Sequence, residues 1–444
     1  MPRSPLAILG GPPVCQTPWP RYNPIGEEEK AAALEVLESG VLSQFRGAPG
    51  DDFCGGPRVR CLERAWAEYF GTKHAVSFNS LTSGLQACIG AACIEPGDEV
   101  IVPPLTMSAT AICVLAYGGI PVFADLDPQT LCLAPDSIEE RISPRTRAIV
   151  VVHLFGHPAD MNAIMPIAER HGLTVIEDAA QAPAAKYGGE WIGAIGHMGG
   201  FSLNYHKTIH AGEGGIIVTD ADELAMRLQL IRNHGENVVA TLDLQNLENT
   251  FGGNYRMTEI EAAIAYCQLQ KLDRLTRARE ELAAYLDEQL RDLPGLTPQR
   301  LAAPEGSRHV YYFYPMFYDE AVCGPARTVF AEAVRAEGIE LRDWYAPPVY
   351  WAPMFQQRIA VGRSHFPFVS EYTDRDITYE KGICPVAEQA YEQRLLFGKF
   401  CRWPLSTEHM DQVVTAIRKV MDCRDDLTAL PLDDRTDPRS STRA

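Results

Sequence analysis

The chain has 444 residues, 40 of them Lys or Arg against 58 Asp or Glu, a formal net charge of −18. A chain of this length can bury roughly 75% of the surface its unfolded form exposes, enough for a large core and two structural units. The acidic balance argues against nucleic acid or an anionic membrane as the main partner, but leaves room for a small anionic substrate held by local basic groups.

The elements follow in chain order. MPRSPLAILGGPPVCQTPWP at the start has a short apolar patch and much proline, so it reads as an extension over 1–25 and neither as a signal peptide nor as a membrane span. EEKAAALEVLES and PRVRCLERAWAEYF carry apolar residues at three- and four-residue spacing and predict helices. The apolar strand HAVSF runs through FNSLTSGL into the helix SGLQACIGAAC. Further strands are expected at EVIVPP, IPVFADL, AIVVVHLF, LTVIED, GGFSLN and GIIVT, with helices at ADMNAIMPIAERHG and DELAMRLQLIRNHG. This alternation implies an α/β fold: a mainly parallel sheet covered on both faces, spanning 26–274. A bent helical stretch from Thr258 to Leu293 is expected to lead into a smaller α+β domain over 275–423, with a strand in HVYYFYPMFY and a closing helix EHMDQVVTAIRKVM. The polar, proline-containing segment 424–444 is expected to be disordered. The 12 cysteines are scattered from Cys15 to Cys423 without a CxxC pair, which suits buried, reduced thiols and a cytoplasmic protein.

Three stretches carry chemistry. Lys207 closes FSLNYHK just before AGEGG, and about 30 residues earlier stands IEDAAQA. A lysine amine can condense with an aldehyde and then move a proton at the neighbouring carbon. Asp178, at the carboxyl end of LTVIEDA, is where an α/β sheet would present a carboxylate to a pyridine nitrogen. Ser80, Thr82 and the amide of Leu81 stand at a helix N-terminus, where unpaired N–H groups and the helix dipole favour a phosphate, and Ser202 on its strand could reach the same anion. Read alone, Lys207 is a solvated lysine and Ser80 and Thr82 are helix caps. Their concurrence points to pyridoxal phosphate. His206 and His210 would share a helix face if HKTIH were helical, but no acidic third ligand stands nearby, so no metal is expected. His206 is placed instead as a residue lining the site.

With these residues the chain resembles the DegT/StrS sugar aminotransferase family of fold-type I pyridoxal phosphate enzymes. The likeness runs from about Tyr22 to Met421, through the phosphate loop, IVPPLTMSATA, VVHLFGHPADM, IEDAAQA, FSLNYHK with GEGG, FGGNYRMTEIEAAIAYCQLQKL and CPVAE, ordered as in the family. It implies that Lys207 holds the cofactor's aldehyde, that Asp178 partners the pyridine nitrogen and that Gln181 contacts the ring hydroxyl. Thr82 and Ser202 are implied as phosphate ligands. Asn254 is implied to reach the phosphate of a neighbouring subunit, and hence a homodimer with composite sites. Two departures bear on geometry: Met107 stands where the family places an aromatic ring against the pyridine, and Leu81 where glycine is common.

The substrate side rests on less. Trp344 and Tyr345 open the aromatic, proline-rich WYAPPVYWAPMF, expected to be a loop, and Tyr255 and Arg256 follow Asn254. Arg46, Arg58 and Arg60 lie in a segment resembling the family's mobile loop and are available for a carboxylate or phosphate. The resemblance implies transfer of an amino group from L-glutamate or L-glutamine to a keto sugar nucleotide or keto-cyclitol, in secondary-metabolite or surface-sugar biosynthesis. Two alternatives stay open: a repurposed pyridoxal phosphate reaction, either elimination or carbon–carbon bond formation, and a catalytically silent partner subunit that binds the cofactor.

Overall fold

In the computed structural model, residues 4–427 are described, apart from 236–237, 243–245 and 374. The β-branched runs form one seven-stranded sheet. From edge to edge its order is His74–Phe78, Gly215–Thr219, Met198–Ser202, Thr174–Asp178, Thr146–Val152, Glu99–Val102 and Ile120–Phe123. Gly215–Thr219 runs antiparallel to both neighbours, and the remaining pairs are parallel. Strands of the continuous-apolar kind are buried on both faces, and here every residue from Ala148 to Val152 is buried. The fold is therefore the α/β arrangement with a mainly parallel sheet that the sequence implies.

The helices begin and end where their cap chemistry dictates. Pro57 opens Pro57–Phe70 and Gly71 closes it in the left-handed region, and the helix buries Val59, Leu62, Trp66 and Phe70. Thr258 caps Glu259–Leu269 in a reciprocal box with Glu261. The helical stretch expected from Thr258 to Leu293 is two helices, Glu259–Leu269 and Leu272–Gln289.

A second core lies under a four-stranded antiparallel sheet ordered Leu296–Pro298, Tyr314–Tyr318, Leu395–Gly398 and Leu341–Arg342. It packs the helices Arg327–Ala336 and Thr407–Asp422 through Phe330, Val334, Val413 and Ile417. Several features depart from expectation. Only Tyr314–Tyr318 of HVYYFYPMFY is strand. The aromatic segment 344–355 is not all loop, but forms a short 3-10 turn and the helix Pro353–Gln356. Tyr350, Phe355, Tyr379 and Cys384 join the core of the large sheet, so the hydrophobic division does not follow a single cut near 275. The N-terminal extension is tied down: Leu6 enters the smaller core, and the amides of Ala7 and Val14 donate to the buried Glu337 carboxylate at 2.9 and 3.1 Å. Arg424–Leu427, expected to be disordered, is a 3-10 turn that buries Leu427, because that side chain completes the smaller core. The rest of the expected tail, 428–444, lies outside the described residues. Among the described residues no helix is long and apolar enough to cross a membrane.

Candidate active site

Parallel strands in an open α/β sheet deliver their functional groups at their carboxyl ends, and a cleft of about 530 Å³ opens there. Asp178 and Ser202 each end a strand, and the helix Leu81–Ala91 starts just beyond His74–Phe78.

Alternation along Thr174–Asp178 separates two adjacent carboxylates. Glu177 is fully buried and accepts from the amides of Gly193, Ile195 and Gly196 at 2.8, 2.8 and 2.5 Å and lies 3.0 Å from His153 Nε2, so it holds a turn. Asp178, 5% exposed, lines the cleft, accepting from Thr110 Oγ1 at 2.8 Å and from the Ala180 amide at 3.1 Å. Its carboxylate is thus oriented by two donors and still open to a ligand. Gln181 is held at both ends: its Oε1 accepts from the Phe155 amide, and its Nε2 donates to the Tyr345 hydroxyl, each at 2.9 Å.

Lys207 sits in a turn whose amide donates to the Asn204 carbonyl at 2.9 Å, and the Tyr22 hydroxyl donates to the carbonyl of the next residue, Thr208. Its amine is 5.1 Å from the centroid of the Tyr312 ring. Burial lowers its pKa to about 8, against the opposing pull of the Asp178 charge. His206 also lines the cleft and is held neutral, its pKa lowered to about 4 by loss of solvent and then by the ammonium groups of Lys207 and Lys399. Residues 204–210 hold a turn and bends and no helix, so His206 and His210 do not share a helix face.

Ser80 caps the helix Leu81–Ala91, accepting from the Ser83 amide at 3.2 Å. The amides of Leu81 and Thr82 have no carbonyl four residues earlier in the helix to receive them, which leaves them for an anion. Leu81 stands as the first residue of the helix with ordinary backbone dihedrals, so the side chain costs no strain. It is accommodated by two glycines: a Cβ at Gly200 would stand 2.6 Å from Leu81 Cδ1, and one at Gly215 would stand 2.4 Å from the Leu81 amide nitrogen.

The cleft therefore brings together Ser80, Leu81, Thr82, Met107, Asp178, Gln181, Ser202, His206, Lys207 and Tyr345. Met107 is 62% exposed there, with its thioether free to pack on a ring. Other expected residues lie elsewhere in the single chain. Trp344 is 40% exposed and Asn254 is exposed, and neither lines the cleft with Tyr255 or Arg256. Arg256 Nε donates to Asn233 Oδ1 at 2.6 Å. Arg46 pairs with Asp52 and Arg58 with Glu35, and Arg60 donates to the Gly55 carbonyl, so these arginines are committed to their own surroundings. Sequence reasoning missed Thr110, Asn204, Glu213, Tyr312, Phe313, Arg342 and Lys399. Thr110 lies inside the quoted IVPPLTMSATA, and only its pairing with Asp178 singles it out.

An α/β sheet with a half-buried lysine amine, a strand-end carboxylate and a helix N-terminus converging on one cleft defines a pyridoxal phosphate enzyme of the aminotransferase class. The model of the DegT/DnrJ/EryC1/StrS aminotransferase family matches residues 25–379, and the chain belongs to that family. It is a pyridoxal phosphate-dependent aminotransferase, acting with an amino donor and a keto acceptor. It is 36% identical over 375 residues to L-glutamine:2-deoxy-scyllo-inosose aminotransferase from Streptomyces fradiae, covering 82% of this chain and 87% of that one. To the spore coat polysaccharide biosynthesis protein SpsC of Bacillus subtilis (strain 168) it is 35% identical, over 80% of this chain and 89% of that protein. Among solved structures it resembles DesI in the presence of its TDP-sugar product, with a TM-score of 0.77, 28% identity, and coverage of 96% of this chain and 98% of the other.

Proposed function

We propose that the enzyme transfers an amino group from L-glutamate or L-glutamine to the keto group of a sugar nucleotide or cyclitol, in secondary-metabolite or surface-sugar biosynthesis. The observation that carries this reading is the convergence of Lys207 and Asp178 in one cleft beside an anion-binding helix end. The similarity to a glutamine-dependent cyclitol aminotransferase and to a structure holding a TDP-sugar supports the substrate class.

The cleft's donor set fits the cofactor. Pyridoxal phosphate, when bound, supplies an aldehyde that captures amines and a ring that withdraws electrons from the substrate carbon. Lys207 provides the amine that holds the aldehyde and, once released, a base and acid to carry the proton at that carbon. Asp178, oriented by Thr110, would keep the pyridine nitrogen protonated. The Leu81 and Thr82 amides with the Thr82, Ser80 and Ser202 hydroxyls would hold the phosphate. Gln181, fixed by Phe155 and Tyr345, would contact the ring hydroxyl, and Met107 would pack on the ring.

Asn254, outside the cleft of its own chain, is assigned to the phosphate of a partner's site in a cytoplasmic homodimer, with Tyr255 and Arg256 beside it. Trp344, exposed at the end of the segment that carries Tyr345, is left as a substrate contact made on acceptor binding.

The test is the absorbance of purified protein loaded with pyridoxal phosphate, before and after L-glutamate or L-glutamine is added without acceptor. A visible band that bleaches with one donor, and is absent in Lys207→Ala, is expected. A band that persists with both donors counts against the assigned donors, and no band at all counts against the assigned cofactor residues.

A further inference from the structure

The cleft holds positive charge that none of the assigned roles uses. Lys399 follows the strand Leu395–Gly398, and the register pairing Gly398 with Tyr314 brings it beside Phe313. Its ammonium donates to the His206 carbonyl at 2.7 Å and lies 4.9 Å from the centroid of the Tyr312 ring. Lys207 lies over the same ring at 5.1 Å, so the two nitrogens are at most about 10 Å apart, both in cation–π range of one residue.

Around Lys399 the charges are mostly of one sign. Arg342 lines the cleft with it and is itself paired with Glu340, while Arg279 is buried with its guanidinium on the carbonyls of Tyr311 and Tyr312. Arg402 faces Tyr22 behind them. The acids that line the cleft are engaged elsewhere, Asp178 with Thr110 and Ala180 and Glu213 with Asn204 at 2.8 Å. Among the described residues no carboxylate lies within ion-pair distance of Lys399. Loss of solvent, and then Arg279, Arg402, Lys207 and Arg342, push its pKa down to about 7. A half-buried ammonium in such a field is stabilised by an arriving oxyanion.

The geometry points to Lys399, supported by Arg342, as the cation that receives the α-carboxylate of the amino donor. This rests on the aminotransferase reading above. An amino acid whose amine replaces that of Lys207 carries a carboxylate two bonds away, and of the other cations lining the cleft, Arg342 is paired with Glu340 whereas Lys399 has no carboxylate partner among the described residues. The site is distinct from the helix end at Leu81 and Thr82 assigned to phosphate.

The experiment is calorimetric titration of the cofactor-loaded enzyme with 2-methyl-L-glutamate, which has no α-hydrogen and so binds without turnover. The same titration is run with its α-carboxamide and with inorganic pyrophosphate. Lys399→Met should weaken 2-methylglutamate about tenfold to a hundredfold, the range for a charge-assisted hydrogen bond. Lys399→Arg should recover most of that loss, and the carboxamide should bind wild type and Lys399→Met alike. Equal affinity of wild type and Lys399→Met for 2-methylglutamate, or an equal loss with the carboxamide, would overturn the assignment. So would wild-type enzyme that shows the cofactor's visible band but binds no 2-methylglutamate, which leaves the cofactor reading intact. Loss confined to pyrophosphate would mark a phosphate subsite for the acceptor and also overturn it. Absence of the band in wild type would sink the cofactor reading and this inference with it.

Discussion

On the proposed assignment Lys207 attacks the cofactor's aldehyde as a free amine, so the pH dependence of cofactor capture reports its surroundings. An ordinary lysine, with a pKa of 10.5, is neutral in only about 1 in 3000 molecules at pH 7, whereas one at about 8 is neutral in about 1 in 10. The folded site should therefore capture pyridoxal phosphate roughly 300-fold faster at pH 7 than a solvated amine of equal nucleophilicity. Stopped-flow absorbance of cofactor-free enzyme mixed with pyridoxal phosphate, normalised to the rate with N-acetyl-lysine, gives the profile. The rate should climb about tenfold per pH unit to about pH 8 and flatten above it. The sign for stability follows from the same shift. The folded pKa is depressed, so between about 8 and 10.5 the unfolded chain binds the extra proton and cofactor-free stability rises with pH. The burden of burying the ammonium is full below about 8 and gone above 10.5, and Lys207→Met should lack this rise in thermal scans. A capture rate that keeps climbing past pH 9 toward 10.5 would refute the argument, because Lys207 would then be solvated.

Other perturbations separate scaffold from chemistry. Gly215→Ala would place a Cβ 2.4 Å from the Leu81 amide nitrogen, a backbone contact that must move, so cofactor retention in dialysis should fall along with about 1–3 kcal/mol of stability. Glu177→Gln should cost about 1–3 kcal/mol in denaturant titration, because three amides and His153 converge on that carboxylate, while the cofactor band of the remaining folded protein is retained. Asn254→Ala should weaken cofactor retention, and mixing it with Lys207→Ala should restore some wild-type sites. Verified mixed dimers with no recovered activity would count against a site shared between subunits.

How much of this was legible from sequence depends on how local the cause is. The seven strands of the large sheet were readable because fully buried strands must be apolar runs, and Asp178, Ser202 and Ser80 because they end strands or cap a helix. Asp178 was singled out by its place at the carboxyl end of its strand, but nothing in the sequence told what its neighbour Glu177 does. The alternation of the strand, which turns Glu177 toward Gly193 and Asp178 toward Thr110, gives Glu177 its separate role. The aromatic segment at 344–355 looked like a loop since prolines interrupt its periodicity, yet Tyr350 and Phe355 are buried where they fill space beside Phe123.

Residues on and beside the four-stranded sheet escaped for a different reason. Tyr312, Arg342 and Lys399 lie far apart in sequence and belong to no shared motif. What gathers Tyr312 and Lys399 is antiparallel register, with Gly398 opposite Tyr314, and the short strand Leu341–Arg342 joins the same strand through Leu341 opposite Gly398. Register is a tertiary fact, since sliding a strand by one residue would turn its alternating side chains to the other face. The large sheet thus supplies the groups proposed to hold the cofactor through strand ends and local turns, whereas the small sheet supplies cations and rings through pairing. Substitutions in the turns should change cofactor binding first, while those that shift the Leu395–Gly398 register should leave the cofactor in place and alter recognition of the substrate's charge.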